Sequence, residues 1–132
     1  MGNAYIGRGH QKRQRVVSKE FNIDNGAGTT DDDLLLYTRH KGLTIHNIDV
    51  VYTEATDSSM GTATLKVGSS QGGTQIVAAY THLESAAVSS VAAMTLATSR
   101  LESGGVLWAR HTGIATTQTG KYKVVVEFTP DA

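Results

Sequence analysis

There is no cysteine in this chain. Disulfides and thiolate metal sites are therefore excluded, and nothing points to an oxidising compartment. No apolar run approaches the ~20 residues that a membrane-spanning helix needs. The basic N-terminus is not followed by the apolar stretch of a secretory signal, so a soluble protein is expected. Aromatic residues are scarce, eight among 132, and proline occurs once. Net charge is absent too, with twelve Lys plus Arg against twelve Asp plus Glu. A chain of this length folds as one domain whose core needs no covalent staple.

The neutral total hides an uneven distribution. Residues 8 to 15 read "RGHQKRQR", and residues 1–19 hold Arg8, Lys12, Arg13, Arg15 and Lys19 with no acidic side chain. The rest of the chain carries seven basic and twelve acidic residues. A basic arm on an acidic body suits contact with something else. Gly2, Gly7, Gly9 and the polar run "HQKRQR" offer almost nothing to bury. Residues 1–17 are accordingly read as an extended arm, disordered by itself over most of its length, and residues 18–132 as the folded domain.

That domain reads as all-β. Thr and Val dominate its periodic segments, which suits a pleated, half-buried surface. In "KYKVVVEFTP" the residues Tyr122, Val124, Val126 and Phe128 share one face, between Gly120 and Pro130. In "GLTIHNIDVVY" Leu43 and Ile45 share a phase, whereas Ile48, Val50 and Tyr52 take the opposite one. One extra residue near His46–Asn47 returns all five to the core, so a β-bulge is predicted there. "TATLKVGSS", "GGTQIVAAYT", "GGVLWARHT", "EFNI" and "DLLLYT" supply further strands. "ESAAVSSVAAMTLATSRLESGG" is read as short strands and loop, with at most one helical turn, because β-branched residues interrupt its alanines. Strands of this length between turn signals give an antiparallel β-sandwich, jelly-roll-like.

Residues that could carry chemistry do not converge on a reaction. Asp31, Asp32 and Asp33 are consecutive, but neighbours in a strand point to opposite faces and no Gly-spaced calcium loop is present. They are read as a solvated turn before a strand. The histidines at 10, 40, 46, 82 and 111 form no zinc-protease pattern, and His46 with Asp49 is a weak metal pair. "GSSQGG" lacks the Lys-Ser/Thr ending of a phosphate loop and is read as a hairpin connection. There is no G-x-S-x-G elbow. Trp108 alternates with Val106 and is assigned to the core rather than to a sugar platform. No enzyme, cofactor or metal is expected.

The arm then needs a partner. Its one aromatic, Tyr5, and the acidic body argue against nucleic acid, and no apolar anchor supports membrane attachment. Ordering about 15 residues costs roughly 15–30 kcal/mol of backbone entropy, far more than four exposed ion pairs of about 1 kcal/mol each return. Only an extended strap along a large protein surface recovers it, and a symmetric assembly supplies such a surface. Arg8, Lys12, Arg13 and Arg15 are the candidate contact residues.

Three stretches carry a resemblance: "TTDDDLLLYTRHKGLTIHNIDVVYTEA" (29–55), "TATLKVGSSQGGTQIVAAY" (62–80) and "SGGVLWARHTGIATTQTGKYKVVVEFTP" (103–130). In their order of an "LYT…KGLTI" opening, a "TLKVG…GG" hairpin, a "SGGVL" corner and a "G-x-V-x-V-x-F" closing strand, they resemble head decoration, or cement, proteins of tailed bacteriophages. The resemblance implies a jelly-roll-like sandwich that clamps neighbouring major capsid proteins from outside the head, as a homotrimer, after assembly in the host cytoplasm. It brings no catalytic motif. A glycan- or receptor-binding domain of a phage head fibre or tail fibre is the alternative, favoured by the Thr/Ser/Gly-rich turns at 53–61 and 112–120 and opposed by the scarcity of aromatics.

Overall fold

The computed structural model describes residues 12–24, 26, 28–58, 63–113 and 118–132. Ten strands run through them: β1 (Gln14–Val17), β2 (Phe21–Asn22), β3 (Thr30–Tyr37), β4 (Leu43–Glu54), β5 (Thr64–Gly68), β6 (Val77–Thr81), β7 (Val91–Ala93), β8 (Arg100–Leu101), β9 (Val106–Thr112) and β10 (Lys121–Pro130). No helix occurs among the described residues. The Ala-rich stretch that could have turned helical is instead loop and two short strands, β7 and β8.

Two antiparallel sheets face each other. In one, β10 and β4 form the centre; β1 and β2 lie in succession along the outer side of β10, and β8 and β7 share the outer side of β4. In the other the order is β3-β9-β5-β6. With β1/β2 and β7/β8 each counted as one broken strand, eight strands remain. The first then pairs with the last, the second with the seventh, the third with the eighth and sixth, and the fourth with the seventh and fifth. That nesting is the jelly roll. Among the described residues only β5 and β6 make a sequential hairpin within a sheet, through the 69–76 turn that holds "SSQGG".

The bulge predicted in β4 is present. Asn47 pairs with Glu127 and Ile45 with Phe128, so His46 is the unpaired extra residue. Leu43, Ile45, Ile48, Val50 and Tyr52 are consequently all buried, while His46 is exposed. A second irregularity in β3, between Leu34 and Leu36, turns Leu35 and Leu36 together toward the core and leaves Leu34 outside.

Residues Gln14–Val17, assigned from sequence to the arm, form a strand of the sheet: Gln14 pairs with Phe128 and Val17 with Val125. Val16 packs against the core, and the Ser18 N–H donates to the Val124 carbonyl at 2.8 Å. β10 needs a partner for its outer backbone groups, and this segment supplies it. From Gln14 onward the chain therefore belongs to the sheet. Residues 1–11, with Arg8, lie outside the described residues.

One end of the core is aromatic and polar. Phe21 stacks on Tyr122 with ring centroids 5.3 Å apart, and His82 sits 4.5 Å from Tyr122 and 5.8 Å from His111. The Tyr122 hydroxyl is 2.7 Å from Nδ1 of His111, whose Nε2 lies 3.3 Å from the Ile23 carbonyl. A carbonyl can only accept, so Nε2 carries the proton and neutral Nδ1 accepts from Tyr122. The Tyr52 hydroxyl accepts from the Leu83 N–H at 3.0 Å and lies 3.1 Å from both His82 Nδ1 and the Tyr80 hydroxyl. Nε2 of His82 is buried without a hydrogen-bond partner. Burial, helped by the neighbouring His111, pushes the His82 pKa down to about 3; burial lowers His111 as well. The same end is closed by Gly120, whose φ of +140° and close approach to Ile23 leave no room for a side chain.

Candidate functional site

Among the described residues, β1 and β3, edge strands of opposite sheets, touch each other and leave an opening at one end. At the base of this opening the 38–42 loop carries the chain from β3 across to β4. Here a groove of about 520 Å³ is walled by Gln14, Leu36, Tyr37, Leu43, Phe128 and Pro130, and by Arg39, His40 and Lys41 of the loop. The last three follow one another in the sequence and are all exposed. Thr38 pins the loop: its hydroxyl donates to the Glu102 carbonyl at 2.7 Å, and its backbone N–H to the Gly105 carbonyl at 2.9 Å. On the far side the Asp131 N–H donates to the Gly42 carbonyl at 3.0 Å.

The described basic segment, residues 12–15, meets the fold at this same place. Gln14 forms part of the groove wall, and Lys12 and Arg13 directly precede it. Lys12, Arg13 and Arg15 are all exposed. Arg13 lies 3.6 Å from Glu127 in a solvated ion pair, worth about 1 kcal/mol or less, and Arg15 is the cross-strand partner of Glu127. The acids nearby are partly committed, since Arg100 bridges Asp131 and Glu102 and its hydrogen bonds hold the Asp131 carboxyl below the usual range. Among the described residues, Lys12, Arg39, His40 and Lys41 form no ion pair and no side-chain hydrogen bond. Sequence reading found the first basic segment and missed the second. Three consecutive basic residues between two strand patterns were a usable signal, but nothing in the sequence placed them beside the arm.

Other sequence candidates are dispersed. Asp31, Asp32 and Asp33 are inside β3 rather than in a turn before it. Each is accommodated separately. Lys19 Nζ pairs with Asp31, the Lys19 N–H donates to Asp33 at 2.9 Å, and Arg110 grips Asp32 with two hydrogen bonds of 2.7 and 2.9 Å. The Arg110 contact is the main reason that the Asp32 pKa is lowered. His46 meets Thr129 at 2.6 Å, and Asp49 accepts from Asn47, so these two do not form a pair. Among the described residues no three His, Asp or Glu side chains gather as metal ligands would.

Trp108 is not a core residue. Along β9 the buried positions are Leu107, Ala109 and His111, and the alternate positions Val106, Trp108 and Arg110 lie on the outer face. Trp108 is half-buried there, paired with exposed Leu34 on one side and with Gly68 on the other. Exposed Tyr37 pairs with Val106 on the same face. The alternation read from sequence was correct, but its phase was not, because Trp and Val fit either side of a strand equally well.

Fold and surface together define a jelly-roll sandwich with a basic, apolar-floored groove at one end and an aromatic outer face on one sheet. A chain of the solved cyanophage Pam1 capsid asymmetric unit has a similar fold, with a TM-score of 0.64 and 16% identity over 98% of this chain and 91% of that one. No protein-family model matches the sequence, and no curated protein matches it.

Proposed function

We propose that this chain is a structural protein of a bacteriophage virion, a decoration or cement protein. In this reading it binds the outside of the capsid and stabilises contacts between major capsid proteins. It assembles in the host cytoplasm, acts as a homotrimer, and performs no catalysis. The observation that carries the reading is the likeness of nearly the whole chain to a chain of a phage capsid asymmetric unit. The motif order of the sequence and the basic residues without ion pairs around the start of β1 add support. Arg8, Lys12, Arg13 and Arg15 are the capsid-binding residues, with the arm as a strap along the lattice.

The test is co-sedimentation with undecorated heads. Removing residues 1–12 leaves β1 and the Arg13–Glu127 pair intact, so the body should stay folded and lose attachment. Undiminished binding by the truncated protein refutes the strap. Light scattering of the free and head-released protein should give a trimer; a monomer in both removes that part of the reading.

A second reading, a glycan-binding domain of a head or tail fibre, is favoured by one observation: Trp108 faces outward beside Tyr37 and Leu34. Glycan-array binding that is lost in Trp108→Ala, without head binding, supports it over the first.

A further inference from the structure

The groove between β1 and β3 has a composition that selects its occupant. Its floor is apolar, with Leu36, Leu43 and Phe128, and its rim is cationic, with Arg39 and Lys41. We infer that this groove is a docking site for an extended, acidic segment of a partner protein, with carboxylates over Arg39 and Lys41 and one apolar side chain set into the floor.

Three features argue for that occupant. First, neither rim side chain is held in an ion pair or side-chain hydrogen bond among the described residues; Lys41 feels Asp131 only at longer range, so both can turn to an incoming carboxylate. Secondly, among the described residues β3 pairs only with β9, and Leu36 and Tyr37 at its other edge line the groove. An extended segment can hydrogen-bond to such an edge, taking affinity from backbone pairing and specificity from alternate side chains. Thirdly, Glu102, Glu127 and Asp131 surround the same end. A nucleic-acid strand carries a charge at every nucleotide and would run across them, whereas a peptide places its carboxylates one at a time. The inference concerns Arg39 and Lys41, which lie outside the arm, and it holds whether or not the partner is a capsid subunit.

The experiment uses the full chain and fluorescence anisotropy with dye-labelled probes: a short peptide alternating glutamate with valine, its lysine–valine counterpart, a polyglutamate and an oligothymidylate. The glutamate–valine peptide should bind, and binding should weaken on adding salt. Arg39→Glu/Lys41→Glu should weaken it by about tenfold or more, since charges across an interface set partner choice, and should allow the lysine–valine peptide to bind instead. That exchange also demonstrates that the double variant is folded. Tyr37→Ala, at an exposed position, should weaken binding less. The inference is overturned if the glutamate–valine peptide does not bind, if the double variant binds it unchanged, or if polyglutamate or the oligothymidylate binds as well. Because no capsid is used, failure here leaves the head-binding result untouched, and failure of head binding leaves this one untouched.

Discussion

Acid should destabilise this protein before its carboxylates require it. His82 is buried among Tyr52, Tyr80, Tyr122 and His111, and its pKa in the fold is about 3. In the unfolded chain a histidine titrates near ~6.5. Below that pH the unfolded state takes up a proton that the folded state refuses, so stability is intact above it and falls as pH drops toward the folded value. The slope is about 1.36 kcal/mol per pH unit for each such group. At about pH 4.5, His82 alone accounts for roughly 2.5–3 kcal/mol, and His111 acts in the same direction. Urea unfolding followed by circular dichroism at about pH 7.5 and 4.5 reads this as a midpoint shift of roughly 1–2.5 M, given a slope of about 1–3 kcal/mol/M. His82→Phe is the control. It keeps a ring against Tyr122, removes the unpartnered nitrogen, and leaves the Tyr52 hydroxyl with Tyr80 and Leu83. At neutral pH the variant should lie within about 1 kcal/mol of the parent. It should lose about 2–3 kcal/mol less on acidification. Carboxylates with lowered pKa values, such as Asp32 and Asp131, contribute equally to both proteins and cancel. Parallel pH dependences for parent and variant would refute the argument.

Two further tests address the fold. Deleting His46 removes the extra residue of the β4 bulge, which must expose either Leu43 and Ile45 or Ile48, Val50 and Tyr52. At roughly 1.5–3 kcal/mol per side chain the deletion should abolish cooperative unfolding, whereas His46→Ala, losing only an exposed contact with Thr129, should cost about 1 kcal/mol or less; a well-folded deletion variant contradicts the bulge. Leu107→Ala should cost about 2–5 kcal/mol and Trp108→Ala no more than about 2 kcal/mol, the reverse of what side-chain size alone suggests; chemical denaturation of the two variants decides it.

What could be read along the chain was whatever repeats within a few residues. The alternation of Tyr122, Val124, Val126 and Phe128 marked β10 and its inner face, and all four are buried. The phase change after Ile45 marked the bulge at His46, because a strand with five apolar residues out of step has few other ways to bury them. Ala63, Leu65 and Val67 alternate along "TATLKVGSS", which the sequence marks as a strand, and all three are fully buried. Where local signals were ambivalent, the reading failed. The acidic run at 31–33 reads as a turn in isolation, but in the structure Lys19 and Arg110, distant in sequence, offset its charge within a strand. Residues 14–17 hold too little apolar surface to form a strand alone, but β10 offers them a row of unpaired backbone groups.

The amino-acid pattern determined by itself that the fold is all-β, where β4, β5, β9 and β10 begin and end to within a few residues, and that positive charge is concentrated before residue 20. Those properties depend on side-chain alternation and on the identity of neighbours. The tertiary structure alone decided which strands pair, which side of β9 faces water, and that residues 39–41 share a groove with Gln14 at the start of β1. A jelly roll joins its first strand to its last and its second to its next to last, so most of its contacts link distant parts of the chain. Local sequence carries no record of that distance, and the groove exists only because of it.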